Sequence, residues 1–422
     1  MIDQEKQRKS NIILITGVIF NFSIGILYAW GELKKHLMLP VEEGGWGWTS
    51  SQAGLPYTIA AICFAVAVLI GGRIQDKVGP RWVLTTGGTF VGLGLILSSL
   101  VGNSPSGFAL CFGIITGFGI GLGISSITPP ALKWFHPGKK GFVSGFVLGG
   151  FGMGAVFYAP LVAALLACFS AKYGYDAAVG KTLLYLGIAI MIISVSFAQF
   201  IRNPPAGYIP VVPKNIKRSA VRILPSIDYT WREMVKTNRF YLMSILLLFS
   251  TTVGLMVIGN TSKIANVQIG ITDTAFLLSL MAIMNGTGRV VGGIISDKIG
   301  RTNTLLIVII LQLFNMIGFV FYQNLAGLLI GIIVTGFCYG SILSIIPSMT
   351  ADQFGIKNYG VNYGIVCIFW GLAGFVAPLF TDHFFDMYGN FIISYIICAA
   401  LMPIMIFVIF LLKKEVAKVS EG

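Results

Sequence analysis

Apolar blocks of about 20 residues recur along this chain from Asn11 to Leu412. They limit its fold more than any other feature. A helix of that length crosses the roughly 30 Å hydrocarbon core of a bilayer. In hydrocarbon every backbone N–H and C=O must be satisfied internally, so only helices and closed barrels span it. Barrel strands alternate and stay short, which long unbroken runs contradict. Composition agrees: 55% of the 422 residues are hydrophobic and only 11% are charged, against about 25% charged in a soluble domain. An all-α, multi-pass membrane protein is expected. Its twelve spans fall at about 11–33, 50–71, 82–101, 106–131, 142–168, 179–201, 239–259, 272–295, 303–322, 325–350, 359–381 and 389–412. The first block follows Lys6, Arg8 and Lys9. It is too long for a cleaved signal peptide, and no small-residue cleavage site follows it.

An even number of spans puts both termini on one side. Of the 29 Lys and Arg residues, 23 fall in segments on that side. The other side has only Lys34, Lys35, Lys172, Lys181 and Lys263. By the positive-inside bias both termini are cytoplasmic, with the plasma membrane as the expected location. The net charge of +13 is then a topology signal and an attraction to anionic headgroups, not a nucleic-acid footprint. The six cysteines all lie inside apolar blocks and lack metal-ligand spacing, so they read as small packing residues. Neither metal nor cofactor is implied.

The longest polar interruption, residues 202–238, is rich in proline and basic residues and splits the spans six and six. It reads as a linker between an N-terminal bundle (1–201) and a C-terminal bundle (239–422). The halves repeat. The stretches 71-GGRIQDKVGP-80 and 292-GGIISDKIGR-301 agree at six of ten positions. A fainter echo links 116-TGFGIGLG-123 with 335-TGFCYGSI-342. Internal repeats on this scale point to two pseudo-symmetric bundles that rock around a midplane site. Glycines crowd the fourth and fifth spans, from Gly113 to Gly154. They suit close, sliding helix contacts. They are not a dinucleotide loop, because no strand precedes them.

Residues 274–295 contain one charge, Arg289. It precedes Asp297 by eight residues, which places it about 12 Å inside the helix end. An arginine there costs several kcal/mol on insertion scales, roughly 2.5–3.5. All sixteen acidic residues lie in loops or at span edges, so no span supplies a partner. The competing reading is a structural arginine that snorkels or pairs. A mobile anion as partner is the simpler completion, because the planar guanidinium matches a carboxylate with two parallel hydrogen bonds. Asn285, one turn earlier on the same face, is placed to orient the guanidinium or bond a ligand.

The chain resembles the major facilitator superfamily. The loop signature is Gly72, Asp76, Lys77, Gly79 and Arg81 after the second span, with a copy at Gly293, Asp297, Lys298, Gly300 and Arg301 after the eighth. The resemblance implies that Asp76, Lys77, Arg81, Asp297, Lys298 and Arg301 act in gating. They would hold the cytoplasmic side closed when the carrier faces outward. More narrowly, 285-NGTGR-289, 133-KWFHPGKKGFVSGF-146, 358-NYGVNYG-364 and 25-GILYAW-30 resemble the oxalate/formate antiporter branch, related to the monocarboxylate transporters. That resemblance implies that Arg289 binds a substrate carboxylate, and that Tyr28, Tyr339, Cys367 and Trp370 line the pocket with Asn285. The branch carries a lysine in its eleventh span. Here Trp370 occupies that position, and the span has no cation. One central cation fits one carboxylate.

The expected function is therefore secondary transport of small monocarboxylates such as lactate, pyruvate or formate. The expected mechanism is alternating access, linked to protons and carried out by a monomer. No acid or histidine sits mid-span, so Glu32, at the outer end of the first span, is the candidate for proton coupling. Anion exchange of the oxalate/formate type stays open and needs no protein proton. A membrane acid sensor is the alternative from another class, although linker and tail leave no room for an output domain. An enzyme would need a catalytic constellation, and the chain carries none.

Overall fold

The computed structural model describes residues 2–205, 207–211, 228–271 and 274–421; the side chains of residues 2, 3, 28, 155 and 419–421 lie outside the described residues. Twelve long helices are found among them. They are α1 (Ile2–Ser23), α2 (Ser50–Val78), α3 (Pro80–Ser98), α4 (Pro105–Trp134, π-helical over Ala109–Thr116), α5 (Lys140–Tyr173) and α6 (Tyr175–Ala198). Then follow α7 (Asn238–Ile269), α8 (Ala275–Ile299), α9 (Arg301–Phe319), α10 (Leu325–Phe354), α11 (Tyr359–Tyr388) and α12 (Ile392–Glu421). A 3-10 turn at Gly25–Ala29 and a short helix at Trp30–Met38 continue α1.

With that continuation counted, eleven of the described helices are long and apolar enough to cross a membrane. The expected third span, α3, falls outside this set. Arg81, three threonines and four glycines dilute its apolar residues. Those glycines have a packing role. A Cβ at Gly88 would overlap Ser194, and one at Gly92 would overlap Met191, both on α6. Helix α3 thus reaches α6 backbone to backbone, the packing that small residues permit in membranes.

The chain divides into two compact units, Met1–Trp134 with Gly150–Ile209, and Phe135–Gly149 with Pro210–Gly422. In the first, α2 starts on a reciprocal cap between Thr49 and Gln52, which satisfies two N-terminal backbone donors. The Trp30 indole donates to the Ala53 carbonyl at 2.9 Å, fixing the α1 continuation against α2. In the second, α8 lies along α10, α7 along α11, and α12 beside α9 and α7. A core of Leu, Ile, Met and Phe fills the interior of that unit.

The sequence repeat is also a backbone repeat. Gly79, between α2 and α3, has φ 92° and ψ 164°. Gly300, between α8 and α9, has φ 93° and ψ 152°. That region is open essentially to glycine alone, which explains why both copies of the motif keep a glycine there. Part of the expected linker, residues 206 and 212–227, lies outside the described residues. Its end is anchored in the second unit. Asp228 accepts from the Ile356 and Lys357 amides at 3.1 Å each, and the Tyr229 amide donates to the Phe354 carbonyl.

Candidate functional site

The site is assembled in the second unit, around the middle of α8. Glycine makes this possible. A Cβ at Gly288 would strike the Phe337 carbonyl of α10, and one at Gly340 would strike the Asn285 carbonyl of α8. The N-terminal turns of α5 press on another face of α8: a Cβ at Gly145 would overlap the Arg289 carbonyl, and one at Gly141 the Gly293 carbonyl. Backbones this close leave a narrow, rigid slot for the one long charged side chain.

Arg289 is 3% exposed. Its Nε donates to Asn285 Oδ1 at 3.1 Å, and Nη1 donates to the Leu148 carbonyl of α5 at 2.5 Å. Both acceptors are neutral. They orient the guanidinium and leave its charge in place, and among the described residues no carboxylate pairs with it. Asn285 therefore takes the orienting role. The Leu148 carbonyl is a partner that no sequence pattern marks.

Helix α11 turns one face toward the same region, with Tyr363, Cys367 and Trp370 at helical spacing. Tyr363 is hydrogen-bonded to Cys367 and lies within electrostatic range of Arg289. Its ring stacks on Tyr359 with centroids 5.5 Å apart. The Trp370 indole donates to the Tyr339 hydroxyl of α10 at 2.9 Å. Two expected pocket aromatics thus form one hydrogen-bonded pair, and Trp370 supplies a neutral donor in place of a cation. Tyr363 is the residue missed: it stands inside 358-NYGVNYG-364, and only the packing of α11 reveals its face. The Tyr28 side chain lies outside the described residues. Glu32 is in the first unit, 2.8 Å from Lys35 in an ion pair.

At the end of α8 a second constellation forms. The Asp297 carboxylate accepts the Gly141 and Phe142 amides of α5, at 2.8 Å each. A carboxylate there satisfies orphan donors and faces the positive end of the helix. Arg301 bonds Asp297 and the Ser296 hydroxyl at 2.6 Å each, and reaches Asp352 of α10 at 2.9 Å. Lys140 closes the ring on Asp352 at 2.9 Å. Below it the Ser144 and Ser348 hydroxyls meet at 2.6 Å. These contacts are why residues 135–149 belong to the second unit. Of the expected gating residues, Asp297 and Arg301 are joined and Lys298 is exposed. In the first unit Arg81 donates to Gln199 at 2.7 Å, Asp76 is half-buried and Lys77 is exposed. Lys140 and Asp352 were not expected. They lie far apart in sequence, and nothing in either neighbourhood announces the other.

The family model of the Major Facilitator Superfamily matches residues 12–332. The chain belongs to this superfamily. Its members are transporters, not enzymes, so this facilitator is a secondary transporter of small solutes across a membrane. It is 27% identical over 353 residues to the oxalate:formate antiporter of Oxalobacter formigenes, covering 82% of this chain and 77% of that one. It is 24% identical over 383 residues to the apicoplast pyruvate carrier 1 of Toxoplasma gondii, covering 78% and 67%. Among solved structures, the fucose:proton symporter FucP of E. coli superimposes with a TM-score of 0.70 at 13% identity, over 95% of this chain and 99% of that one. That likeness bears on the fold alone.

Proposed function

We propose that this facilitator carries small monocarboxylates across the plasma membrane by alternating access, with the Arg289 guanidinium as the carboxylate receptor. One observation carries the reading. A 3% exposed arginine is held by two neutral acceptors. A charge oriented but not neutralised in a low dielectric is costly, and an arriving carboxylate removes that cost. Asn285 sets the fork. Tyr363, Trp370 and Tyr339, together with the small Cys367, give the slot a largely aromatic wall suited to a short organic tail. The α11 face offers no second cation, so a second carboxylate would be buried without a partner. That favours lactate-like or pyruvate-like acids over oxalate. The relatives named for oxalate and formate and for pyruvate support the substrate class.

The Asp297–Arg301–Asp352–Lys140 ring serves as the latch that closes one face of the carrier, with Asp76 and Arg81 in the matching role on the other half. Both termini face the cytoplasm. Coupling is to protons, and the protein works as a monomer. The test is uptake of labelled lactate into proteoliposomes, with and without an inward acid pH gradient, by wild type and Arg289→Gln. Gradient-stimulated uptake that the variant loses is the expected result. Full uptake by Arg289→Gln would overturn the receptor role. Uptake driven by preloaded formate and indifferent to pH would establish exchange instead.

A further inference from the structure

Tyr229, at the end of the linker, sits where α7, α10 and α11 converge. Its amide donates to the Phe354 carbonyl at the C-terminus of α10, at 3.0 Å. Its carbonyl accepts from Nδ2 of Asn358, just before α11, and from Nδ2 of Asn362 within it, at 3.0 Å each. Its hydroxyl accepts from Arg239 of α7, also at 3.0 Å. The buried Arg239 guanidinium lies 5.4 and 5.5 Å from the Tyr229 and Phe354 ring centroids and reaches Gln353 Oε1 at 2.9 Å. Aromatic faces and neutral oxygens hold this cation in place.

Both sides of Tyr229 are fastened. Asp228 Oδ1 accepts the Ile356 and Lys357 amides at 3.1 Å each. A Cβ at Gly355 would overlap that carboxylate, so the glycine lets the segment lie flat on the α10–α11 turn. On the other side, the short helix Trp231–Met234 starts on a reciprocal cap between Thr230 and Glu233, and Met234 enters the core of the unit. The orientation of α11 is thus held from outside the helix. Asn358 stands at its N-cap, yet makes no capping bond with its side chain. An asparagine there ordinarily accepts from the first turn; this one gives its amide to Tyr229.

These ties end one helical turn from the substrate slot. Asn362 precedes Tyr363, the residue within electrostatic range of Arg289. Tyr359, beside Asn358, stacks on Tyr363 with ring planes 11° apart. We propose that Asp228 and Tyr229 form a strap that fixes the rotation of α11 against α10, and through it the placement of Tyr363, Cys367 and Trp370 around Arg289. Both are positioning residues; that what they position is a carboxylate slot rests on the transport reading above. The leverage is large. A side-chain tip lies about 6 Å from its helix axis, so a turn of roughly 20° moves it about 2 Å, enough to break a hydrogen bond.

Tryptophan indole NMR of the full-length protein in nanodiscs reads the α10–α11 alignment, because the Trp370 indole bonds the Tyr339 hydroxyl across it. The chain has seven tryptophans, and Trp370→Phe assigns the relevant peak. Asp228→Ala, at an exposed position, is expected to move the Trp370 resonance, with Trp30 and Trp48 of the first unit still. In proteoliposomes the same variant is expected to raise the lactate KM about tenfold and to leave kcat within about twofold, a loss in the range that a misplacement near 1 Å produces. Asp228→Asn keeps an acceptor oxygen for the two amides and is expected to restore both readings. A still Trp370 resonance in Asp228→Ala would overturn the proposal. So would an unchanged KM, because Asp228 would then be an anchor that stabilises the fold and sets nothing in the slot. If wild type carries no lactate while Asp228→Ala still moves Trp370, the strap stands as the element that aligns α11 with α10, and the carboxylate reading falls.

Discussion

At the scale of single residues, Arg289 separates two accounts by stability as well as by transport. A structural arginine stabilises the fold, so removing it destabilises. A receptor arginine is a burden that the empty protein tolerates. Its partners here are Asn285 Oδ1 and the Leu148 carbonyl, which orient it without compensating its charge. Arg289→Met is therefore expected to abolish lactate uptake while leaving Tm within a few degrees of wild type, or raising it, since replacing a poorly compensated buried charge by a fitting apolar chain is neutral or favourable. A large drop in Tm with uptake retained would reverse the assignment. Trp370 tests the other end of the slot. Trp370→Lys breaks the 2.9 Å bond to Tyr339 and introduces a second cation. Oxalate is expected to compete with labelled lactate about tenfold better in the variant than in wild type, one charge-assisted hydrogen bond being the difference. Unchanged competition would mean that Trp370 lies away from the substrate.

Between elements, the ring at the α8 terminus holds the first turn of α5, part of the second unit, against α8 and α10. Asp297 holds two α5 amides and Arg301 at once, and both charged side chains are about 90% shielded. Removing one partner of such a pair leaves the other buried and unpaired. Asp297→Asn is expected to cost about 3 kcal/mol, read from chemical denaturation in detergent, and the double variant Asp297→Asn with Arg301→Gln to cost less than the sum of the singles. Additive losses would show the contacts to be independent. This level was only half legible in advance. The motif at Gly293–Arg301 stands out because it repeats at Gly72–Arg81, so Asp297 and Arg301 were visible. Their partners were not. Lys140 and Asp352 come from other helices, and no periodicity relates residues whose only link is packing. The α8 pair Asn285 and Arg289 was legible for the opposite reason: four residues apart on one helix, they meet whatever surrounds them. The Trp370–Tyr339 pair needed the α10–α11 contact, which the resemblance suggested and the helical pattern could not supply.

For the molecule as a whole, the apolar blocks defined the fold because hydrocarbon permits so few alternatives, and α3 shows where that logic thins. Its glycines serve contacts with α4 and α6, and with its threonines they dilute its apolar content, so that it falls outside the set of spanning helices. Topology is the property most exposed to this ambiguity. The proposed topology of twelve crossings puts both termini on one side, and the basic residues flanking them, Lys6, Arg8 and Lys9 against Lys413, Lys414 and Lys418, favour the cytoplasm. Epitope tags at both ends are expected to be cut by protease in inside-out vesicles and protected in right-side-out ones. Cleavage of both tags only from the outside would invert the orientation. Cleavage of one tag from each side would mean an odd number of crossings. By composition α3 is then the helix that fails to span, and the repeat of Gly79 at Gly300 would no longer place the two motifs on one face of the membrane.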